Sequence, residues 1–193
     1  MMKKQKTVLI IATLDTKGPE ALFVKEIIED KGLGTLVMDI GITGKAFFSP
    51  DITSPKVAAG ASRTLPELLA FDDEAKAMAE MAKGAERIVQ EIFKNGAFEG
   101  VIALGGSMGS SLALRVFRGL PTGLTKVLLS TVALSDFVTP RSVLNDVVLV
   151  QATCDLWGIN RLEAFQGRYF TGGLPFPLTC CAGFVIGLSC DFY

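Results

Sequence analysis

The chain has 193 residues, of which 49% are hydrophobic and 20% charged, a composition typical of one globular domain with a full core. Nineteen basic and 20 acidic residues give a net charge of −1, so the sequence carries no direct signal for nucleic-acid binding. The absence of histidine excludes Ser-His-Asp and Cys-His hydrolysis and histidine-ligated zinc. None of the four cysteines forms a CxxC pair, which argues against a metal cluster.

The N-terminal part follows the pattern of a β-α-β unit. Residues 7–13 form a continuous apolar run that predicts a strand buried on both faces of a parallel sheet, and this run is too short to cross a membrane. Residues 19–32 predict a helix with proline in its first turn and glycine at its end. Residues 34–40 predict the second strand.

A long irregular segment comes next, over residues 41–71. It predicts two short helices near residues 56–61 and 66–70. So long an insertion usually carries function or covers a site, although a surface excursion gives the same pattern. Residues 72–95, rich in Ala, Glu, Lys and Met, predict a long helix.

The second half continues the alternation of strands and helices. The predicted elements are a strand over 100–106, a helix over 107–121, strands over 126–133 and 146–152, and a helix over 153–165. Together these elements predict a doubly wound, mostly parallel, five-stranded Rossmann-like sheet of the flavodoxin-like type, with helices on both faces.

Two polar, glycine-containing loops follow the first and third predicted strands. If those strands are neighbours, the loops face one another across the crevice where open parallel sheets bind ligands. The second loop runs into a helix N-terminus, where free backbone N–H groups and the helix dipole favour a phosphate. The candidate ligand contacts are Thr13, Leu14, Asp15, Thr16, Lys17 and Gly18 in the first loop, and Gly105, Gly106, Ser107, Met108, Gly109, Ser110 and Ser111 in the second.

Several of these residues suggest particular roles. Lys17 offers a positive charge, and Asp15 offers a contact for a metal ion or water. Asp39 ends the second strand, where such folds often bind a ribose hydroxyl. We expect a bulky residue at Gly105 to abolish binding while leaving the fold largely intact.

Each of these features also has a simpler interpretation. Glycines at a β-α turn can serve the turn alone, Asp15 or Thr16 can cap the following helix, and Asp39 can be a solvated strand-end residue. Residues 105–109 match the GxSxG nucleophile elbow, but without histidine Ser107 has no ordinary general base. The sequence has no GxxxxGK[ST] pattern and no GxGxxG after the first strand, so neither a Walker ATPase nor a standard NAD fold is supported.

Four motifs occur in order at the predicted strand ends, namely TLDTKG, LGGSMGSS, LPTGLTKVLLSTVA and GIN. On these motifs, residues 6–163 resemble the N-terminal domain of a poorly characterised two-domain family that includes a tomato tobamovirus-resistance protein, an inhibitor of viral RNA replication. The resemblance implies an ATP-binding domain, with ATP or a related nucleotide and Mg²⁺ as ligands and with Ser130 and Thr131 as further contacts. Met108 and Ser110 replace a glycine and a threonine of the family's loop.

The end of the chain departs from this family. We expect a nucleotide-binding domain over residues 1–165 and a divergent apolar tail over 166–193 in place of a second domain. The stretch between Arg168 and Asp191 has no charge, but its prolines and glycines make it a poor membrane helix. A divergent or prematurely ended C-terminus is the preferred explanation, and its apolar residues and cysteines would favour aggregation or a homodimer. The expected location is cytoplasmic.

Three functions fit these observations. The leading one is a nucleotide-binding domain, with hydrolysis of ATP left open. The second is an inhibitory or interaction module with a structural nucleotide and a protein partner, for which segment 41–71 is the candidate surface. Deleting that segment is then expected to remove partner binding and mostly keep nucleotide affinity. The third is one half of a metabolic enzyme that acts on a small acid or acyl substrate.

Overall fold

A computed structural model describes residues 5–136, 138 and 143–152 of the chain. In chain order these residues form β1 (Thr7–Ala12), α1 (Gly18–Asp30), β2 (Gly34–Asp39), α2 (Ser54–Gly60), α3 (Leu65–Leu69), α4 (Glu74–Lys94), β3 (Gly100–Gly105), α5 (Ser107–Arg118), β4 (Thr125–Ser130) and β5 (Val147–Gln151). The predicted helix over 153–165 and the tail lie outside the described residues.

The predicted elements within the described residues are confirmed, and the largest differences in bounds, of three residues, are at the ends of α5 and β4. The sequence predicts that this strand continues to residue 133, whereas it ends at Ser130. The Ser130 hydroxyl accepts a hydrogen bond from the Val132 N–H at 3.1 Å, which turns the chain out of the sheet. Side-chain hydrogen bonding of this kind competes with strand pairing and leaves no trace in the hydrophobic pattern.

The five strands form one parallel sheet in the order β2-β1-β3-β4-β5. The chain runs outward from β1 to β2 and then returns to the other side of β1 to begin β3. Strand order therefore reverses between β1 and β3, which is the point where doubly wound folds open a crevice at the carboxyl ends of the strands. This order confirms the predicted Rossmann-like, flavodoxin-like fold.

Helices cover both faces of the sheet. On one face α1 packs through Val24 onto strand residues such as Ile10, both fully buried. On the other face α4 and α5 contribute Met81 and Phe117 to a larger core that includes Leu9. Among the residues that the structure describes, no helix combines the length and apolar character needed to cross a membrane.

Segment 41–71 returns to the sheet and pairs with β2. The Ile52 N–H donates to the Val37 carbonyl at 2.9 Å, and the Ile52 carbonyl accepts from the Asp39 N–H at 2.9 Å. These two bonds continue the parallel pattern at the outer edge of β2, so Ile52 acts as a one-residue strand. The segment thereby covers what would otherwise be an exposed sheet edge.

The rest of segment 41–71 packs onto α4. Val57 of α2 and Leu68 of α3 are 0% and 1% exposed, so both belong to the core. Gly84 allows α2 and α4 to approach closely, because a Cβ there would overlap the Val57 carbonyl oxygen. The surface-excursion interpretation is therefore wrong, and deleting the segment would open the core and could not separate partner binding from nucleotide binding.

Candidate functional site

The two loops singled out in the sequence leave the sheet side by side. Ala12 of β1 pairs in register with Leu104 of β3, so the first loop begins at Thr13 beside Gly105. The Thr131 N–H donates to the Gly105 carbonyl at 3.2 Å, which brings the loop after β4 to the same place. We call this region, at the carboxyl ends of β1, β3 and β4, the crevice.

The N-terminus of α5 opens into the crevice. Gly106 is its N-cap residue, the described residues place no side-chain cap on it, and its first turn contains no acidic residue. Gly106 and Ser107 are partly exposed to solvent. Arg115 and Arg118 in the last turn complement the other end of the helix dipole. Within the described part of the chain the positive end of α5 therefore has no side-chain acceptor, and a helix N-terminus of this kind suits an anion.

The N-terminus of α1 differs from that of α5. Its N-cap residue is Lys17, again without a side-chain cap, but Glu20 places an acidic group in the first turn. The interpretation of Asp15 or Thr16 as a helix cap is therefore wrong. The Thr16 hydroxyl instead bonds the Thr13 hydroxyl at 2.7 Å, within the first loop. Of the two helices, α5 is better suited to hold a phosphate because its first turn has no competing negative charge.

Asp15 is directed toward the segment that follows β2. Its Oδ2 accepts a hydrogen bond from the Thr43 hydroxyl at 2.7 Å. Gly41 lies against the carboxylate, since a Cβ there would be 2.9 Å from Asp15 Cγ. The described residues contain no cluster of three or more Cys, His, Asp or Glu side chains that would hold a metal ion. Mg²⁺ commonly binds one or two carboxylates together with phosphate and water oxygens, a mode of binding in which Asp15 could take part.

Asp39 is only 2% exposed, so its interpretation as a solvated strand-end residue is wrong. Its Oδ1 accepts hydrogen bonds from the Leu14 N–H at 3.0 Å and the Gly41 N–H at 2.9 Å. Burial raises the pKa of Asp39 and the charge of Asp15 adds to this effect, whereas the bonds from Gly41, Leu14 and Ser54 oppose it. Asp39 therefore fixes the start of the first loop from inside the fold.

Ser110 and Ser130 are fully buried and bind one another. Their hydroxyl oxygens are 2.6 Å apart, and the Ser110 hydroxyl also donates to the Gly105 carbonyl at 3.3 Å. These two hydroxyls connect α5, β3 and β4 beneath the crevice. In the structure these two hydroxyls help to hold the second loop in place.

Gly105 is required by the fold itself. A Cβ at this position would lie 2.8 Å from the backbone carbon of Gly109 and the nitrogen of Ser110. The expectation that a bulky residue at Gly105 would spare the fold is wrong, because it would push α5 off the end of β3. At Gly106, by contrast, a Cβ would lie 3.6 Å from the Thr131 hydroxyl oxygen, an ordinary contact.

The remaining predicted residues divide between the interior, the helix face and the crevice. Leu14 is fully buried, and Gly18 lies under Phe47. Met108 and Ser111 line a groove of about 330 Å³ between α4 and α5. The predicted residues that retain solvent access at the crevice are Thr13, Asp15, Thr16, Lys17, Gly106, Ser107 and Thr131.

Residues 43–47 form a further wall against the first loop of the crevice, and the sequence did not predict it. Lys45 is exposed, and Phe47 is 60% exposed while its N–H donates to the Leu14 carbonyl at 3.0 Å. A signal for this wall exists in the sequence, because GITGKAFF directly follows the carboxyl end of β2. It was not recognised because residues 43–47 were treated as part of one long insertion.

The fold and the crevice define this protein as a flavodoxin-like α/β domain with a polar, anion-suited opening at its topological switch point. The family model for the "Uncharacterised protein family (UPF0261) N-terminal domain" matches residues 6–165, and the chain belongs to this family. The resemblance identified from the four motifs is thereby confirmed.

Similar proteins occur in bacteria and plants. A UPF0261 protein of Clostridium tetani is 38% identical over 159 residues, covering 82% of this chain and 39% of that protein. A UPF0261 protein of Brucella suis is 36% identical over 153 residues, covering 79% and 37%. The tomato ToMV susceptible protein tm-1(GCR26) is 31% identical over 171 residues, covering 81% and 22%. The chain thus spans about two fifths of the length of these bacterial relatives.

Proposed function

We propose that this domain binds a nucleoside phosphate of the ATP class in the crevice, with the phosphates at the N-terminus of α5. The observation that carries the proposal is that α5 begins at the switch point with a glycine N-cap, no side-chain cap and no acid in its first turn. Free N–H groups and the helix dipole at such a position bind phosphate in many unrelated folds.

The other accessible groups of the crevice suit the same ligand. Ser107 and Thr131 place hydroxyl groups beside the helix N-terminus, and Lys17 adds a positive charge in the first loop. Asp15, held by Thr43, is the residue that would contact Mg²⁺ carried by the phosphates. We propose binding without assigning hydrolysis, because with no histidine in the chain we assign no general base.

The proposal is tested by calorimetric titration of the full chain with ATP, ADP and AMP, each with and without Mg²⁺. The decisive variant is Gly106→Asp, whose carboxylate would accept from the first-turn N–H groups of α5 in place of phosphate. The backbone of Gly106 is extended (φ −82°, ψ −151°), so aspartate fits there without strain. We expect saturable ATP binding by the native chain and at least about a tenfold loss in this variant.

Asn95→Asp is the matched control. Asn95 is the exposed C-cap residue of α4, at the opposite edge of the sheet, and the substitution adds the same charge with almost no change in shape. We expect its ATP affinity to equal that of the native chain. Absence of binding by the folded native chain, or native affinity in Gly106→Asp, would contradict the proposal.

A further inference from the structure

Phe47 is unusual among the aromatic residues of this domain. Its side chain is 60% exposed, whereas the other phenylalanines in the described part of the chain are buried or partly buried. Phe98 and Phe117, for example, are 2% and 0% exposed. Single exposed apolar side chains are common on protein surfaces, so the significance of this ring lies in its place beside the first loop of the crevice.

The ring of Phe47 stands on the first loop of the crevice in a fixed position. Its N–H is bonded to the Leu14 carbonyl at 3.0 Å, and its Cβ and ring lie over Gly18, where any side chain would overlap them. The neighbouring Ala46 and Phe48 pack against the core on the α1 face. The backbone and both neighbours are therefore anchored, and only the ring of Phe47 extends into solvent.

We infer that Phe47 is the stacking surface for the base of the bound nucleotide, so that the crevice selects nucleoside phosphates over inorganic or sugar phosphates. This inference rests on the proposed function. The phosphate end of the ligand would lie at α5, after β3, and the base at Phe47, in the segment after β2 that rests on the first loop. Strands β2 and β3 flank β1, so their ends lie about 10 Å apart, a separation that one nucleotide can bridge.

A phenylalanine ring offers a flat π-face and no hydrogen-bonding group. It stacks on purines and pyrimidines alike, and each base–aromatic contact contributes substantially to affinity. The chemistry at Phe47 therefore predicts that the site requires a base but discriminates weakly among bases. ATP and GTP should bind with similar affinity, and tripolyphosphate, which has the phosphates alone, should bind much more weakly.

The test is calorimetric titration of the full chain with ATP, GTP and tripolyphosphate, using the native protein and Phe47→Ala. We expect Phe47→Ala to weaken ATP and GTP about 5- to 100-fold and to leave tripolyphosphate unchanged. Phe47→Tyr should keep native affinity for ATP. Leu69→Ala is the matched control, since Leu69 is an apolar side chain of α3 that is 53% exposed and should affect none of the ligands.

Phe47→Trp provides an independent readout. A nucleotide base stacked on the new indole should quench its fluorescence, and tripolyphosphate should not. Two results would overturn the inference: unchanged ATP affinity in Phe47→Ala, or an equal loss of affinity for ATP and tripolyphosphate in that variant. The ring would then become a candidate contact for a protein partner. In either case loss of ATP binding by Gly106→Asp would still support the proposed function. No nucleotide binding by the native chain would overturn both.

Discussion

The two edges of the sheet differ in whether positive charge is paired with a side chain. At the amino edge, where the strands begin, the Lys126 Nζ atom is bound by Asp146 at 2.5 Å and by the Pro121 carbonyl at 2.8 Å. At the carboxyl edge none of the described side chains caps the positive end of α5, and the ring of Phe47 is exposed. The amino edge pairs its buried charge within the chain, whereas the carboxyl edge exposes the helix N-terminus and the ring that the proposed ligand would contact.

The largest expected effect is the loss of the ion pair at the amino edge. Lys126 is 1% exposed, so Asp146→Ala leaves a buried ammonium without its counter-charge and with the Pro121 carbonyl as its remaining acceptor among the described contacts. Removing one partner of a buried pair typically costs about 3–5 kcal/mol of the free energy of unfolding. Urea unfolding at neutral pH would measure it. Lys126→Met removes the buried charge and keeps the aliphatic part of the side chain, so it should lower the free energy of unfolding far less than the Asp146 substitution. Equal losses in the two variants would show that packing, and not the unpaired charge, determines the stability at this position.

The second largest effect is expected at Asp39, under the carboxyl edge. Asp39→Ala leaves the buried N–H groups of Leu14 and Gly41 without their acceptor, at a cost of about 2–4 kcal/mol in unfolding free energy. Asp39→Asn keeps an oxygen in the same place and should cost about 1 kcal/mol or less. Urea unfolding of both variants separates the two cases. A loss in Asp39→Asn as large as in Asp39→Ala would mean that the negative charge is required.

The contributions of Asp146 and Asp39 to the free energy of unfolding should change with pH in opposite directions. The hydrogen bond from Lys126 holds the pKa of Asp146 below its ordinary value, so its stabilisation is present at neutral pH and is lost as the pH falls through the lowered value. Burial raises the pKa of Asp39, so its contribution is greatest in acid and is lost as the pH rises through the raised value.

Unfolding free energies of Asp146→Asn and Asp39→Asn, compared with the native chain at neutral and mildly acidic pH, test this pair of signs. Acidification should shrink the deficit of Asp146→Asn and should make Asp39→Asn less stable relative to the native chain. If the unfolding free energies of both variants, relative to the native chain, changed in the same direction on acidification, the pKa values of the two carboxylates would not be shifted in opposite directions.

The contrast also explains what the sequence could and could not predict. Strands, helices and the β1/β3 switch point follow from apolar runs and from the alternation of elements, which are local signals. The anion-suited turn at Gly106 was found because glycines and serines follow a strand and precede a helix. The bond between Asp15 and Thr43, 28 residues apart, depends on how segment 41–71 folds back, which no local pattern records.

The amino edge shows the same limit. The sequence gives no reason to pair Lys126 with Asp146, because the contact forms only when β4 and β5 lie side by side. Burial of Ser110 and Ser130 was likewise hidden, since a serine near a helix N-terminus suggests a ligand donor as readily as an internal hydrogen bond. Residue types near strand ends therefore pointed to the proposed site, but separating its accessible residues from its buried supporting residues required the tertiary structure.

The smallest expected effect is on the stability of the ligand-free chain, and it tests whether the N-terminus of α5 can accommodate an additional negative charge. Gly106→Asp should raise the unfolding free energy of the ligand-free chain by about 0.3–1 kcal/mol, because its carboxylate caps α5 at the positive end of the dipole. Asn95→Asp adds the same charge at the C-terminus of α4, where the dipole is negative, and should give no gain. Thermal melting at low and high salt would measure both, and salt should reduce the gain. A destabilised Gly106→Asp would mean that the N–H groups of α5 are already satisfied inside the chain.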